Sequence, residues 1–243
     1  RLPALRTENT DRNRTAPVAF TGNKFEFRAP GASQSMSGPM TVLFALWARG
    51  MEVVMASMQQ SLDQGKDINE AALDAVRDVS RESRAVRFEG NCYAPAWAEE
   101  ARRRGLPVAH STPEALALYT TPENRELLCS LGIMTDREIF AYHDIRLHQF
   151  VTTADIEMDL LASMTREGVL PALSRQIALE GQSLGALPAA FAGGACGAAL
   201  ERLGRIKEVL LEKLDALETL REELENDQPE EQAYRITDEA FPL

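Results

Sequence analysis

The chain has 243 residues, 44% of them hydrophobic, 26% charged and 6% aromatic, a composition that excludes wholesale disorder and a fibrous repeat. Its net charge of −11 excludes a general binder of nucleic acid or anionic lipid, because phosphate contacts need clustered Lys and Arg. Cys92, Cys129 and Cys196 lie far apart, outside CxxC or Cys/His spacing. They read as buried thiols of a reducing compartment, not as a disulfide framework or a zinc site. No apolar run near the ~20 residues that span a bilayer is evident, and the start carries no secretory pattern, so a cytoplasmic protein without a membrane partner is expected.

In chain order, residues 1–15 are polar and turn-rich and read as loop. Residues 16–28 carry the best strand signal: Phe25 and Phe27 alternate with Lys24, Glu26 and Arg28, so the aromatic and charged residues take opposite faces. A lone strand has no partner for its backbone groups, so this one is expected not to persist without a sheet. Residues 29–39 are small and Gly/Ser-rich, an ordered loop.

Nearly everything beyond Pro39 reads as helix. Residues 40–63 are strongly apolar, with Val42, Leu43, Leu46, Val53 and Val54 in a buried stripe and Met51, Met55 and Met58 as core filler. Gly65 fits a C-cap, and Asp67 to Glu70 reads as a capping box. Residues 87–94 form a loop and 95–105 a short helix stopped by Gly105. Thr112-Pro113-Glu114 and Thr121-Pro122-Glu123 start helices, each with Pro at the first position. Thr135 to Glu138 opens a long helix to about Gly168, with Ile145, Phe150, Ile156, Leu160, Leu161 and Met164 on its apolar side and a kink or restart at Pro171. A final helix over 198–226 repeats Leu203, Leu210, Leu217 and Leu224 every seven residues, with Lys213 interrupting one core position. Either an antiparallel hairpin against 151–180 or a dimer zipper satisfies that seam. The acidic stretch 222–231 reads as a solvated helix end. The fold expected is mainly α: a helical bundle with a long C-terminal antiparallel hairpin, preceded by a short strand and loop.

The residues suited to chemistry are concentrated in the first 30. Lys24, Glu26 and Arg28 share a strand face, and Arg14 precedes it in a loop. Guanidinium forks, an ammonium and one carboxylate suit a site that handles phosphate oxygens and a divalent cation. The same face is equally the ordinary solvated side of an amphipathic strand. His110, His143 and His148 are the only histidines, and the last two are five apart, off the i, i+4 spacing of a helical metal pair.

The string N-R-T-A-P-V-A-F-T-G-N-K-F-E-F-R over 13–28, followed by A-P-G-A-S-Q-S, resembles the catalytic segment of glutamine synthetases, and its longer form resembles the type III enzymes. R-F-E-G-N-C-Y-A-P-A-W-A-E-E-A-R-R-R-G-L over 87–106, G-I-M-T-D-R-E-I over 132–139 and the helical stretch 156–173 are similar to the same type. The resemblance implies that Glu26 ligates the Mg²⁺ or Mn²⁺ bridging nucleotide and substrate, and that Arg28 holds the glutamate side-chain carboxylate. It also implies that Arg14 neutralises the phosphoryl group in transfer and Lys24 lies near the ATP phosphates. The implied activity is ATP-dependent amidation of glutamate with ammonia, by subunits assembled in homo-oligomeric rings.

Type III enzymes are several times longer. Their N-terminal β-grasp domain, most of the catalytic sheet, the other metal-binding residues and the flap glutamate have no counterpart here. The resemblance therefore implies the C-terminal third of such an enzyme, inactive alone, with residues 1–65 ending the catalytic domain and 66–243 forming the type-specific helical domain. Three asparagines that the family carries after its loop are Gly38, Met40 and Phe44 here. Two further readings accompany this one: a helical module for assembly or regulation, and a catalytically dead paralogue.

Overall fold

The computed structural model describes residues 18–20, 24–28, 34–88, 90–191 and 193–243. They fall into two compact units, Arg1–Ala109 with Glu126–Met134, and His110–Arg125 with Thr135–Leu243.

In the first unit, β1 (Val18–Phe20) pairs antiparallel with β2 (Phe25–Phe27), with Val18 opposite Phe27, Ala19 opposite Glu26 and Phe20 opposite Phe25. The predicted strand is thus not alone. The apolar triplet just upstream supplies the partner for its backbone groups, contrary to the expectation that it has none.

Helix α1 (Ser37–Asp63) packs on α2 (Ile68–Glu82). The turn between them follows the sequence signals: Gly65 takes φ +83°, and the Asp67 carboxylate accepts from the amides of Asn69 and Glu70 at 2.7 and 3.0 Å while Glu70 reaches back. Only Ala45 and Ser61 of α1 are buried. Leu46, Met51, Val53 and Met55 are exposed, and Val42, Leu43, Val54 and Met58 are half-buried. The apolar stripe is wider than one partner helix covers, so the expectation of a buried stripe fails. By length and composition α1 is also apolar enough to cross a membrane, with a mean hydropathy of 1.3 in its best window, where the sequence reading found no such run. The cysteines differ too: Cys92 is half-buried, and Cys129 and Cys196 are exposed.

The remaining short helices are α3 (Pro95–Arg103), α4 (Thr112–Ala117) and α5 (Pro122–Ser130). Gly105 and Gly132 follow α3 and α5 at positive φ. The cap of α4 is Ser111, one residue earlier than predicted, with its hydroxyl accepting from the Glu114 amide.

In the second unit, α6 (Asp136–Met164) starts at the predicted capping box. Pro171 has no amide hydrogen, and its ring would strike the carbonyl four residues back. The helix passes it by widening into a π turn over Thr165–Val169 and continues as α7 (Leu170–Gly185). Helix α8 (Ala195–Leu224) folds back antiparallel, its first half along α7 and its second along α6. Arg221 fixes the register by donating to Asp159 and Asp155 at 2.7 and 2.9 Å, and Arg166 donates to Glu218. The face of α6 turned to the core carries Ile139, Leu147, Ala154, Met158 and Ala162. Ile145, Ile156, Leu160, Leu161 and Met164, the predicted apolar side, stand exposed, and of that set only Phe150 packs against the core.

The C-terminal stretch is also reassigned. Glu222, Glu223, Glu225, Glu230 and Glu231 are exposed as expected, but α9 (Pro229–Arg235) and a π turn over Ile236–Ala240 return to the bundle. Ile236 and Ala240 join Ala154, Met158, Leu217, Leu220 and Leu224 in the core, and Phe241 meets Phe150 edge-on at 6.2 Å. Arg235 ties the segment down through Glu239, Glu223 and Asp227 at 2.7–2.9 Å, and these carboxylates raise its pKa further.

Two predictions follow from these contacts. Ile236 is 1% exposed, so Ile236→Ala should cost about 2–5 kcal/mol in chemical denaturation; an unchanged midpoint would place the tail outside the core. Glu138 is held below the ordinary glutamate range by the Thr135 amide and then its hydroxyl. Its stabilisation is therefore present above the unfolded value near 4.5 and fades as pH falls through the lower folded value. Glu138→Gln should lower thermal stability at neutral pH and narrow the gap to the parent chain on acidification.

Candidate functional site

The alternation of β2 sends Glu26 and its neighbours Lys24 and Arg28 away from Phe25 and Phe27. Arg28 Nη2 donates to Glu26 Oε2 at 3.0 Å, and both side chains are about three-quarters covered, at 24% and 22% exposure. Lys24 is exposed at the start of the strand. On the other face Phe25 meets Trp47 of α1 edge-on at 5.6 Å, and Trp47 meets Phe44 at 6.1 Å. Those ring contacts seat the strand, so its charged pair is presented from a fixed support. The structure thus joins two of the four predicted site residues, Glu26 and Arg28. Arg14 lies outside the described residues.

A planar guanidinium beside a carboxylate on a supported strand can exchange partners: an incoming carboxylate or phosphate takes the fork in place of Glu26. A divalent cation needs more. Mg²⁺ takes six oxygens, while the described residues hold no group of three or more His, Cys, Asp or Glu able to hold a metal. Glu26 and its described surroundings alone do not make a metal site; the carboxylate fits as one ligand of a larger set.

The segment 87–106 is built around a residue that sequence reading passed over. Arg104 donates to the carbonyls of Ala85 and Arg87 at 3.1 and 2.8 Å and to Glu100 at 2.6 Å. Its guanidinium lies 5.7 Å from the ring centres of both Phe88 and Trp97, which stack on each other at 4.3 Å. A Cβ on Gly90 would come within 2.6 Å of the Phe88 ring, so any other residue there would have to push the ring off its stack. Asn91 then accepts from the Tyr93 amide at 2.9 Å, turning the chain into α3. One arginine thus closes the loop, clasping backbone and rings together. Its only trace in the sequence is the Glu100/Arg104 spacing of four just before Gly105. Trp97 is a packing residue of this cluster.

Residues 71–180 match the family described as glutamine synthetase C-terminal domain. The chain carries a glutamine synthetase C-terminal domain. Among similar proteins, the glutamine synthetase of Bacteroides fragilis (strain YCH46) is 33% identical over 171 residues, which cover 70% of this chain and 24% of that protein. The type-3 glutamine synthetase of Dictyostelium discoideum is 36% identical over 178 residues, covering 70% of this chain and 23% of that protein. The glutamine synthetase of Butyrivibrio fibrisolvens is 31% identical over 170 residues, covering 68% and 23%. The chain spans about a quarter of the length of the curated relatives it matches. The domain runs from α2 into α7 and contains the Arg104 clasp, while the Glu26–Arg28 strand precedes it.

Gly90→Ala should displace Phe88 from Trp97 and lower stability by about 1–3 kcal/mol, with loss of the near-ultraviolet tryptophan signal. An unaltered spectrum and melting curve would show that the loop does not need the close approach.

Proposed function

We propose that this chain is the C-terminal portion of a type III glutamine synthetase, whose whole subunit joins ammonia to glutamate at the expense of ATP through γ-glutamyl phosphate. The observation that carries the reading is the family domain over residues 71–180, following a strand on which Glu26 and Arg28 lie 3.0 Å apart.

Phosphoryl transfer requires positioned cations more than covalent chemistry. In this reading Arg28 exchanges Glu26 for the glutamate side-chain carboxylate and holds it for attack on the γ-phosphate. Arg14 and Lys24 offset the charge on the phosphoryl group and the nucleotide. Glu26 is one ligand of a Mg²⁺ or Mn²⁺ ion, which when bound neutralises phosphate charge. The chain by itself lacks the remainder of such a site and is inactive alone. The parent works in the cytoplasm as a homo-oligomer. A second reading, that the helical part is an assembly module, is favoured by the apolar surface left exposed on α6 and α8.

γ-Glutamyl hydroxamate formation with ATP and Mg²⁺ or Mn²⁺ tests the proposal on this chain and on the longer protein to which it is assigned. Activity is expected only in the longer protein, falling at least about a hundredfold in Glu26→Ala and in Arg28→Ala. Silence from the folded longer protein, or full activity in both variants, would overturn the reading.

A further inference from the structure

Between α6 and α8 lies an apolar groove of about 320 Å³, floored by Met158, Leu214 and Leu217 and flanked by Leu161, Leu210 and Phe241. That volume lies in the range of small-molecule pockets. Both π turns of the second unit border it. Thr165 opens one of them and lines the groove, and Ala240 closes the other and lines it too. Such turns widen a helix locally and recur at functional sites.

Thr165 is 9% exposed, and its hydroxyl has no hydrogen-bond partner among the described residues. A hydroxyl sealed from water without a partner is unfavourable, and no fully buried side-chain polar atom among the described residues is left in that state. The Thr165 hydroxyl is therefore reached from the groove. Beside it stands Lys213. Arg221 bonds to Asp155 and Asp159, which sets it level with residue 157; eight residues back along antiparallel α8, Lys213 comes level with Thr165. Lys213 occupies the seam position that Ile206 and Leu220 occupy one heptad to either side, where an apolar residue would extend the core. Among the described residues it has no ion pair, and Glu157, the one acidic side chain in the groove's lining, lies about 12 Å away along α6. One end of an apolar groove thus carries two hydrogen-bond donors that the fold itself does not use.

We propose that this groove binds a small carboxylate with an unbranched apolar body, of the class of medium-chain fatty acids. The two carboxylate oxygens accept from the Thr165 hydroxyl and the Lys213 ammonium. The hydrocarbon runs along Met158, Leu161, Leu214 and Leu217 toward Ala154, a path of about 16 Å along α6. It covers Leu161 and Phe241, each 58% exposed. At about 30 Å³ per non-hydrogen atom, the share of a water molecule in the liquid, the groove takes a molecule the size of decanoate. Glu157 repels a carboxylate from the opposite end and so sets the direction of binding. A phosphate head brings a third oxygen and a second charge for which this end has no donor. The inference is independent of the glutamine-forming chemistry.

Isothermal titration of the 243-residue chain with decanoate, kept below its micelle concentration, tests it without any assay of activity. Saturable one-to-one binding is expected. Lys213→Leu, which restores the seam, should raise Kd about tenfold or more. Thr165→Val, which keeps the shape and removes the hydroxyl, should raise it about threefold or more. Decanol, decylamine and decyl phosphate should each bind more weakly than decanoate. In hydrogen exchange, decanoate should protect peptides spanning 154–165, 210–217 and 236–243 and leave 40–58 unchanged. Circular dichroism confirms that each variant is folded. No saturable binding, a Kd unchanged in either variant, another head group bound as tightly, or protection on 40–58 in place of the groove would each overturn the proposal.

Discussion

The second unit depends on the register between α6 and α8, and Arg221 sets it. Its two bonds to Asp155 and Asp159 bring Leu214, Leu217, Leu220 and Leu224 against Ala154 and Met158. Two helices alone leave such a seam open on one side, and the C-terminal segment closes part of it with Ile236 and Ala240. Arg235, held by three carboxylates, anchors that closure where α8 ends. Beside Leu161 the seam stays open as a groove, bordered on its tail side by Ala240, Phe241 and Leu243. The packed seam supplies most of the energy, the exposed Arg221 pairs add to its register, and together they set which faces of α6 and α8 are left over.

The first unit follows a different logic, in which rings and one arginine replace a broad core. Phe25 on Trp47 seats the hairpin, and Arg104 gathers Phe88, Trp97 and two backbone carbonyls. Both arrangements hold a short segment of irregular or strand backbone against a helix. The charged pair on β2 lies on the face away from those rings, and in the proposed function the seated strand is what keeps Arg28 aimed.

Local signals were largely legible where the physics is local, the cap of α4 being displaced by one residue. Asp67 with Glu70 and Thr135 with Glu138 close the capping boxes that their spacing announces, and Gly65 and Gly105 end helices at positive φ. The heptad leucines marked a seam that a hairpin or a dimer zipper would satisfy; the chain folds as the hairpin, burying Leu217 and Leu224 of that set beside Leu214 and Leu220. Apolar periodicity was less informative, because it shows which face gains from burial but not whether its partner lies in the same chain. That is why Met51 and Met55 of α1 and Ile156 and Leu160 of α6 are exposed. The return of the chain beyond residue 231 went unread because charge dominates the stretch before it; the signal was the spacing of Ala233, Ile236 and Ala240 at three and four residues. Of the candidate site, the sequence pattern identified the Glu26–Arg28 face but passed over Arg104, whose partners are 17 and 19 residues away.

The C-terminal segment completes the core of the second unit by setting Ile236 and Ala240 against Ala154, Met158, Leu217, Leu220 and Leu224. Hydrogen exchange followed by mass spectrometry on the 243-residue chain tests that closure most directly. Peptides spanning 150–158, 214–224 and 233–240 should be protected together and open together. Exchange across 233–240 at the rate of an unfolded chain, with the other two stretches protected, would contradict it.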